Sequence, residues 1–219
     1  MQPEPNKTVC MKTGLLPLPA HIFSFDEQRS LTGLKAVDYN AALWSRPARL
    51  QALLERLCER ELGWREKLAP EEVIARLEAH FDWVEDRGSL REWLEDVQRL
   101  VARFCELLGE SRCGVHLEDQ RACQRFHADN LNYRLVCCYR GPGTLWLPNE
   151  NVHQHQAETR GTSNQDMVVD PARIQQLSEW DVLVMKGRKS SAFPLYHKSP
   201  TPQPGEPRSL LLKLDEPSF

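Results

Sequence analysis

The chain has 219 residues, 41% of them hydrophobic, and a formal net charge of −3, enough length and apolar content to bury one substantial core. Its 28 lysines and arginines are spread along the sequence, which argues against a nucleic-acid or anionic-membrane footprint, and no stretch approaches the roughly 20 apolar residues of a membrane span. Seven cysteines, an odd number without framework spacing, predict reduced thiols, no disulfides and a cytoplasmic location.

Residues 1–20 carry four prolines and little periodicity and are expected to form an extended arm, leaving 21–219 as one domain. HIFSF, from His21 to Phe25, suggests a short strand. The mixed polar and aromatic AVDYNAALWSRP segment, with Asp38, Asn40, Trp44 and Arg46, reads as a loop anchored by Trp44. From Arg46 to about Leu62 the leucines 50, 53, 54 and 57 recur at three and four, an amphipathic helix that Gly63 would stop. A second helix is expected from Pro70, burying Val73, Ile74, Leu77 and Phe81. The third has Ser89 as N-cap with Glu92 three residues on, then a wide apolar stripe from Leu90 to Leu108 ending at Gly109.

Beyond Gly109 the period changes. SRCGVHLEDQ, NYRLVCCYR, TLWLP, WDVLVMKG and RSLLLKLD read as strands, with GPGT a turn and DPARIQQL at most a helical turn. Residues 149–168 are polar and aperiodic, a loop long enough to need a functional or disorder explanation. Helices therefore fill about 46–109 and strands about 110–219, which predicts an α+β fold.

Within the β half, His127 and Asp129 stand two apart at the mouth of a strand and so share a face. His197 adds a second imidazole. Two histidines and a carboxylate form the facial triad of non-haem Fe(II) oxygenases, which leaves positions open for substrate and dioxygen. Arg208, eleven residues after His197, could clamp a dicarboxylic cosubstrate by a bidentate pair.

That order of His-x-Asp, a Gly-terminated strand, a distal His before Ser-Pro and then an Arg resembles the double-stranded β-helix of the 2-oxoglutarate and Fe(II)-dependent oxygenases over roughly residues 123–215. The resemblance implies a cupin-like jelly-roll barrel with the N-terminal helices packed outside it. It also implies iron binding by His127, Asp129 and His197, and 2-oxoglutarate binding by Arg208, with Tyr133, Tyr139 and Asn130 as further cosubstrate contacts. The blocks NAALWSRP, RFHADNLNYRLVCCYRGPGTLWLP and HKSPTPQPGEPRSLLLKLD also resemble an uncharacterised bacterial domain-of-unknown-function family over nearly the full length.

Other readings compete. Cys113, His116, Cys123 and His127 have spacing compatible with a zinc site. His127 and Asp129 could be a plain hydrogen-bonded pair, and Arg208 a solvated strand-end charge. His153 and His155 read as solvated loop histidines, and no thiolate is placed for nucleophilic catalysis. The leading expectation is an oxygenase acting on an unknown small molecule or protein, with a homodimer left open. The alternative is a non-enzymatic cupin-like metal-binding or metal-homeostasis protein, or an inactive barrel used for interactions.

Overall fold

A computed structural model describes residues 18–118, 123–159 and 161–217; most of the expected N-terminal arm lies outside them. In chain order the elements are β1 (Ile22–Ser24), β2 (Ala41–Trp44), α1 (Gln51–Cys58), β3 (Gly63–Leu68), α2 (Val73–His80), α3 (Arg87–Leu108), β4 (Cys113–Glu118), β5 (Tyr133–Arg140), β6 (Leu145–Trp146), α4 (Gln154–Glu158), α5 (Asn164–Met167), β7 (Gln175–Gln176), β8 (Val182–Lys186), β9 (His197–Lys198) and β10 (Leu210–Asp215). A seven-stranded sheet runs β1-β2-β8-β5-β10-β4-β3, and a second sheet runs β7-β6-β9. All neighbours are antiparallel except β1 and β2. The fold is α+β around a large, mostly antiparallel sheet. Among the described residues no helix is long and apolar enough to cross a membrane.

Strand alternation sorts the side chains of the large sheet. Leu135, Cys137 and Tyr139 of β5, Val115 and Leu117 of β4, and Leu210, Leu212 and Leu214 of β10 join the core under the helices. The helix α3 supplies Leu90, Trp93, Leu94, Val97, Leu100, Val101, Phe104 and Leu107 to that core, all buried, each contributing about 1.5–3 kcal/mol of burial. On the opposite face Ala41, Leu43, Val136, Leu183 and Met185 pack against Trp146, Leu177 and Leu195 of the smaller sheet and its connections.

Several sequence expectations change. AALW is a fully buried strand rather than a loop, because it lies between β1 and β8 and has covered faces. Gly63 opens the edge strand β3 instead of ending a helix, and α1 begins only at Gln51, after Leu50 adopts φ 55°. The cap of α3 is Asp86, which accepts from the Ser89 N–H, so Ser89 sits inside the first turn. The helical and β segments are not cleanly divided, since β1, β2 and β3 come from the first third of the chain and complete the large sheet. The expected loop at 149–168 contains two short helices, and its Val152, Ala157, Met167 and Val168 pack with Phe126, Ala128, Leu147 and Tyr196.

Candidate metal centre

His127 and His197 meet across an isolated antiparallel bridge beside β9. The His127 N–H donates to the His197 carbonyl at 3.0 Å, and the His197 N–H returns to the His127 carbonyl at 2.9 Å. Facing residues of such a pair project to one side of a sheet, and the two imidazole rings lie 4.6 Å apart. Asp129, two residues after His127, turns back onto them. One ligand atom from each of His127, Asp129 and His197 lies within 4.8 Å of the others. The three residues proposed from the sequence as metal ligands are therefore brought together.

Hydrogen bonding assigns the ring tautomers. The Nδ1–H of His127 points to the Arg125 carbonyl at 2.8 Å, and that of His197 to the Leu195 carbonyl at 3.4 Å, so in each neutral ring the lone pair is on Nε2, on the Asp129 side. Nε2 of His127 stands 3.6 Å from Asp129 Oδ1, and Nε2 of His197 stands 3.4 Å from Oδ2.

Burial pushes the His197 imidazole down to about 4, only partly offset by the Asp129 charge, so at neutral pH this ring is uncharged and has no second proton for Asp129. Burial opposes ionisation of Asp129, yet the two histidines and Arg134 hold its carboxyl at about 2. For His127 the neighbouring carboxylate outweighs burial and raises its proton affinity. Asp129 Oδ2 is buried and has no hydrogen-bond partner, a cost of about 1–3 kcal/mol or more for a charged oxygen. An imidazole lone pair facing a bare carboxylate oxygen repels it unless a cation lies between them, so the donor set fits a metal ion.

Two close approaches hold this corner. A Cβ at Gly187 would lie 2.3 Å from the Leu131 carbonyl oxygen and 2.7 Å from that of Asp129, so only glycine lets β8 end so near the Asp129 turn. The Arg188 N–H then donates to the Asp129 carbonyl.

The proposed cosubstrate contacts fare differently. Tyr139 is fully buried among the helices with its hydroxyl on Asp96, and Tyr133 packs against the same core. Alternation along β5 sends both to the face opposite the histidines, which corrects their assignment. Asn130 and Arg208 are exposed, Arg208 just before β10. The zinc quartet is corrected by the same parity: Cys113 points into the helical core while His116, three residues on, faces the other side beside Asp215. Cys123 lies near His127 Nδ1, at 3.5 Å, away from the Nε2 lone pair. His153 and His155 are exposed.

Arg134 was not singled out in the sequence. It alternates with Tyr133 and Leu135, which pack into the helical core, and that parity places it on the histidine side. Its guanidinium donates to Asp129 Oδ1 at 2.7 Å and to Asp215 Oδ1 at 2.6 Å.

Residues 26–215 match a family model described as a protein of unknown function, DUF1826. The chain belongs to that family. No curated protein matches it. Solved structures similar to it include a salicylate 1,2-dioxygenase from Pseudaminobacter salicylatoxidans, at 14% identity over 48% of this chain and 20% of that one, with a TM-score of 0.25. The chain thus spans about a fifth of that dioxygenase. A candidate oxygenase from Shewanella oneidensis is 11% identical over 91% of this chain and 90% of that one, TM-score 0.39. HygX from Streptomyces hygroscopicus, solved with iron bound, is 8% identical over 79% of this chain and 89% of that one, TM-score 0.32. These likenesses are loose, and the functional reading rests on the side chains.

Proposed function

We propose that this family member is an Fe(II)- and 2-oxoglutarate-dependent oxygenase. The observation that carries the reading is the orphaned Asp129 Oδ2, buried against the lone-pair nitrogen of His197 and near that of His127. His127 Nε2, Asp129 Oδ2 and His197 Nε2 would hold the ion by one face. Iron, when bound, supplies the dioxygen chemistry that side chains lack. The chain's own residues do the rest: the Arg125 and Leu195 carbonyls fix the imidazole orientations, the mutual backbone bridge holds the rings together, and burial of His197 keeps water from one side.

In this reading the two stacked sheets are the halves of a double-stranded β-helix. Arg208 meets the cosubstrate carboxylate from the segment before β10, with Asn130 on the turn after Asp129.

A second reading has a specific observation in its favour. Both remaining cosubstrate contacts are exposed and the two tyrosines face the helices, an arrangement equally suited to a cupin-like protein that binds a metal without 2-oxoglutarate.

Anaerobic titration with Fe(II), with and without 2-oxoglutarate, separates the two. The oxygenase should develop a weak visible charge-transfer band that needs both additions, vanishes in His127→Ala and needs more 2-oxoglutarate in Arg208→Ala. Iron binding with no response to 2-oxoglutarate would replace the oxygenase by the metal-binding protein. Uptake of zinc through thiolates with none of iron would remove both.

A further inference from the structure

The carboxylate at the metal centre has two oxygens in different circumstances. Oδ1 accepts from Arg134 Nη1 at 2.7 Å, while Oδ2 has no hydrogen-bond partner. Arg134 does not choose this direction alone. Its Nε donates to Asp215 Oδ1 at 2.6 Å, and Asp215 Oδ2 lies 3.5 Å from His116 Nε2 on β4. A guanidinium is a rigid plane with donors at fixed angles, so anchoring Nε to β10 dictates where Nη1 can reach from β5. Asp215 is 3% exposed, so this anchor is itself fixed by the sheet.

We propose that Arg134, aligned by Asp215, is a positioning residue that occupies Oδ1 and thereby makes Asp129 a one-oxygen metal ligand through Oδ2. A carboxylate free to rotate could bind through both oxygens and take a coordination position from incoming ligands. With Oδ1 tied, two nitrogens and one oxygen bind and the rest of the ion's sphere stays open. The inference rests on the metal reading above but not on the identity of the cosubstrate. It differs from a plain structural ion pair, because a pair that only stabilised the sheet would leave the coordination geometry unchanged when altered.

The test uses the full chain and Co(II) as probe, whose visible ligand-field spectrum reports coordination number. Wild type, Arg134→Lys, Arg134→Met, Asp215→Asn and His197→Ala are titrated, and each metal-free protein is melted in parallel. Wild type should bind one Co(II), and His197→Ala should lose the spectrum.

Arg134→Met should weaken binding about 10–100-fold, the loss typical when a group orienting a ligand is removed, and shift the bands toward a higher coordination number. Arg134→Lys keeps the charge without the fork, so it should recover melting temperature but not the wild-type spectrum. Asp215→Asn should move the spectrum in the same direction by less. If Arg134→Lys and Asp215→Asn both bind with wild-type spectra and affinities within about threefold, the positioning role is wrong while the metal reading stands. Should wild type fail to bind Co(II) and Fe(II) alike, the metal reading falls and this inference with it.

Discussion

An arginine–aspartate pair stands on each face of the large sheet, one buried and one half-buried, and the two are built differently. Toward the helices Arg46 Nη1 meets Asp96 Oδ1 at 2.7 Å, and the second oxygen, Oδ2, accepts from the Tyr139 hydroxyl at 2.7 Å. The Arg46 Nε is spent on the Trp180 carbonyl. Toward the smaller sheet Arg134 meets Asp129 Oδ1 at the same 2.7 Å, but Oδ2 has nothing. A fully satisfied carboxylate is a fastening between layers. One that is half satisfied and faced by the lone pair of a neutral imidazole has an oxygen to spare, and the pairing distance alone would not have told them apart.

Breaking the closed pair should have the largest effect. Asp96→Ala strands a buried guanidinium and the Tyr139 hydroxyl, and is expected to cost about 3–5 kcal/mol in chemical denaturation while leaving Co(II) affinity of the folded fraction unchanged. A shift in affinity there would mean that the two faces are coupled.

Acid should act on the open face. The folded-state value of His197 lies at about 4, below its ordinary 6.5, so the unfolded chain binds its proton first. Stability present above pH 6.5 is lost as pH falls toward 4, on the order of 3 kcal/mol in the metal-free protein. Asp129 adds a further loss below pH 3.8, toward 2. His127, raised, works the other way, stabilising at low pH and losing that contribution as pH rises through its folded value. Denaturation of wild type and His197→Gln at pH 7 and pH 5 checks the sign: the variant should lose less on acidification, and equal losses would refute the assignment.

The smallest effect expected is at Gly187. An alanine there would press on the Asp129 and Leu131 carbonyls, costing about 1–3 kcal/mol by overpacking and weakening metal binding, with the helical core untouched. Unchanged metal affinity would show that the Asp129 turn is held from elsewhere.

Legibility in the sequence followed the range of the interactions. The helix α3 was plain because its stripe and its Gly109 terminus are local, and so was the strand character of VLVMK and LLLKLD. His127 and Asp129 were visible as neighbours. AALW was not recognised because a central strand covered on both sides loses alternation, and GWREKL was not because an edge strand with little buried surface has no apolar pattern at all. The cap at Asp86 lost to Ser89 for the same reason that Arg134 went unnoticed: each is decided by where one oxygen points. The tyrosines of β5 were misassigned although the information was present, since the alternation YRLVCCYR already groups Tyr133 and Tyr139 with Leu135 and Cys137, away from Arg134.

The reciprocal amide bonds between His127 and His197 carry a temporal consequence. Each backbone N–H is held by the other residue's carbonyl, across seventy positions of chain, so neither is protected until both are. During synthesis His127 and Asp129 leave the ribosome well before His197 does, and in that interval the chain displays two donors on an unclosed segment. The third donor and the bridge arrive together. The complete set of three donors therefore exists only after the whole stretch from His127 to His197 has been made, and deuterium exchange at these two amides should proceed as one step.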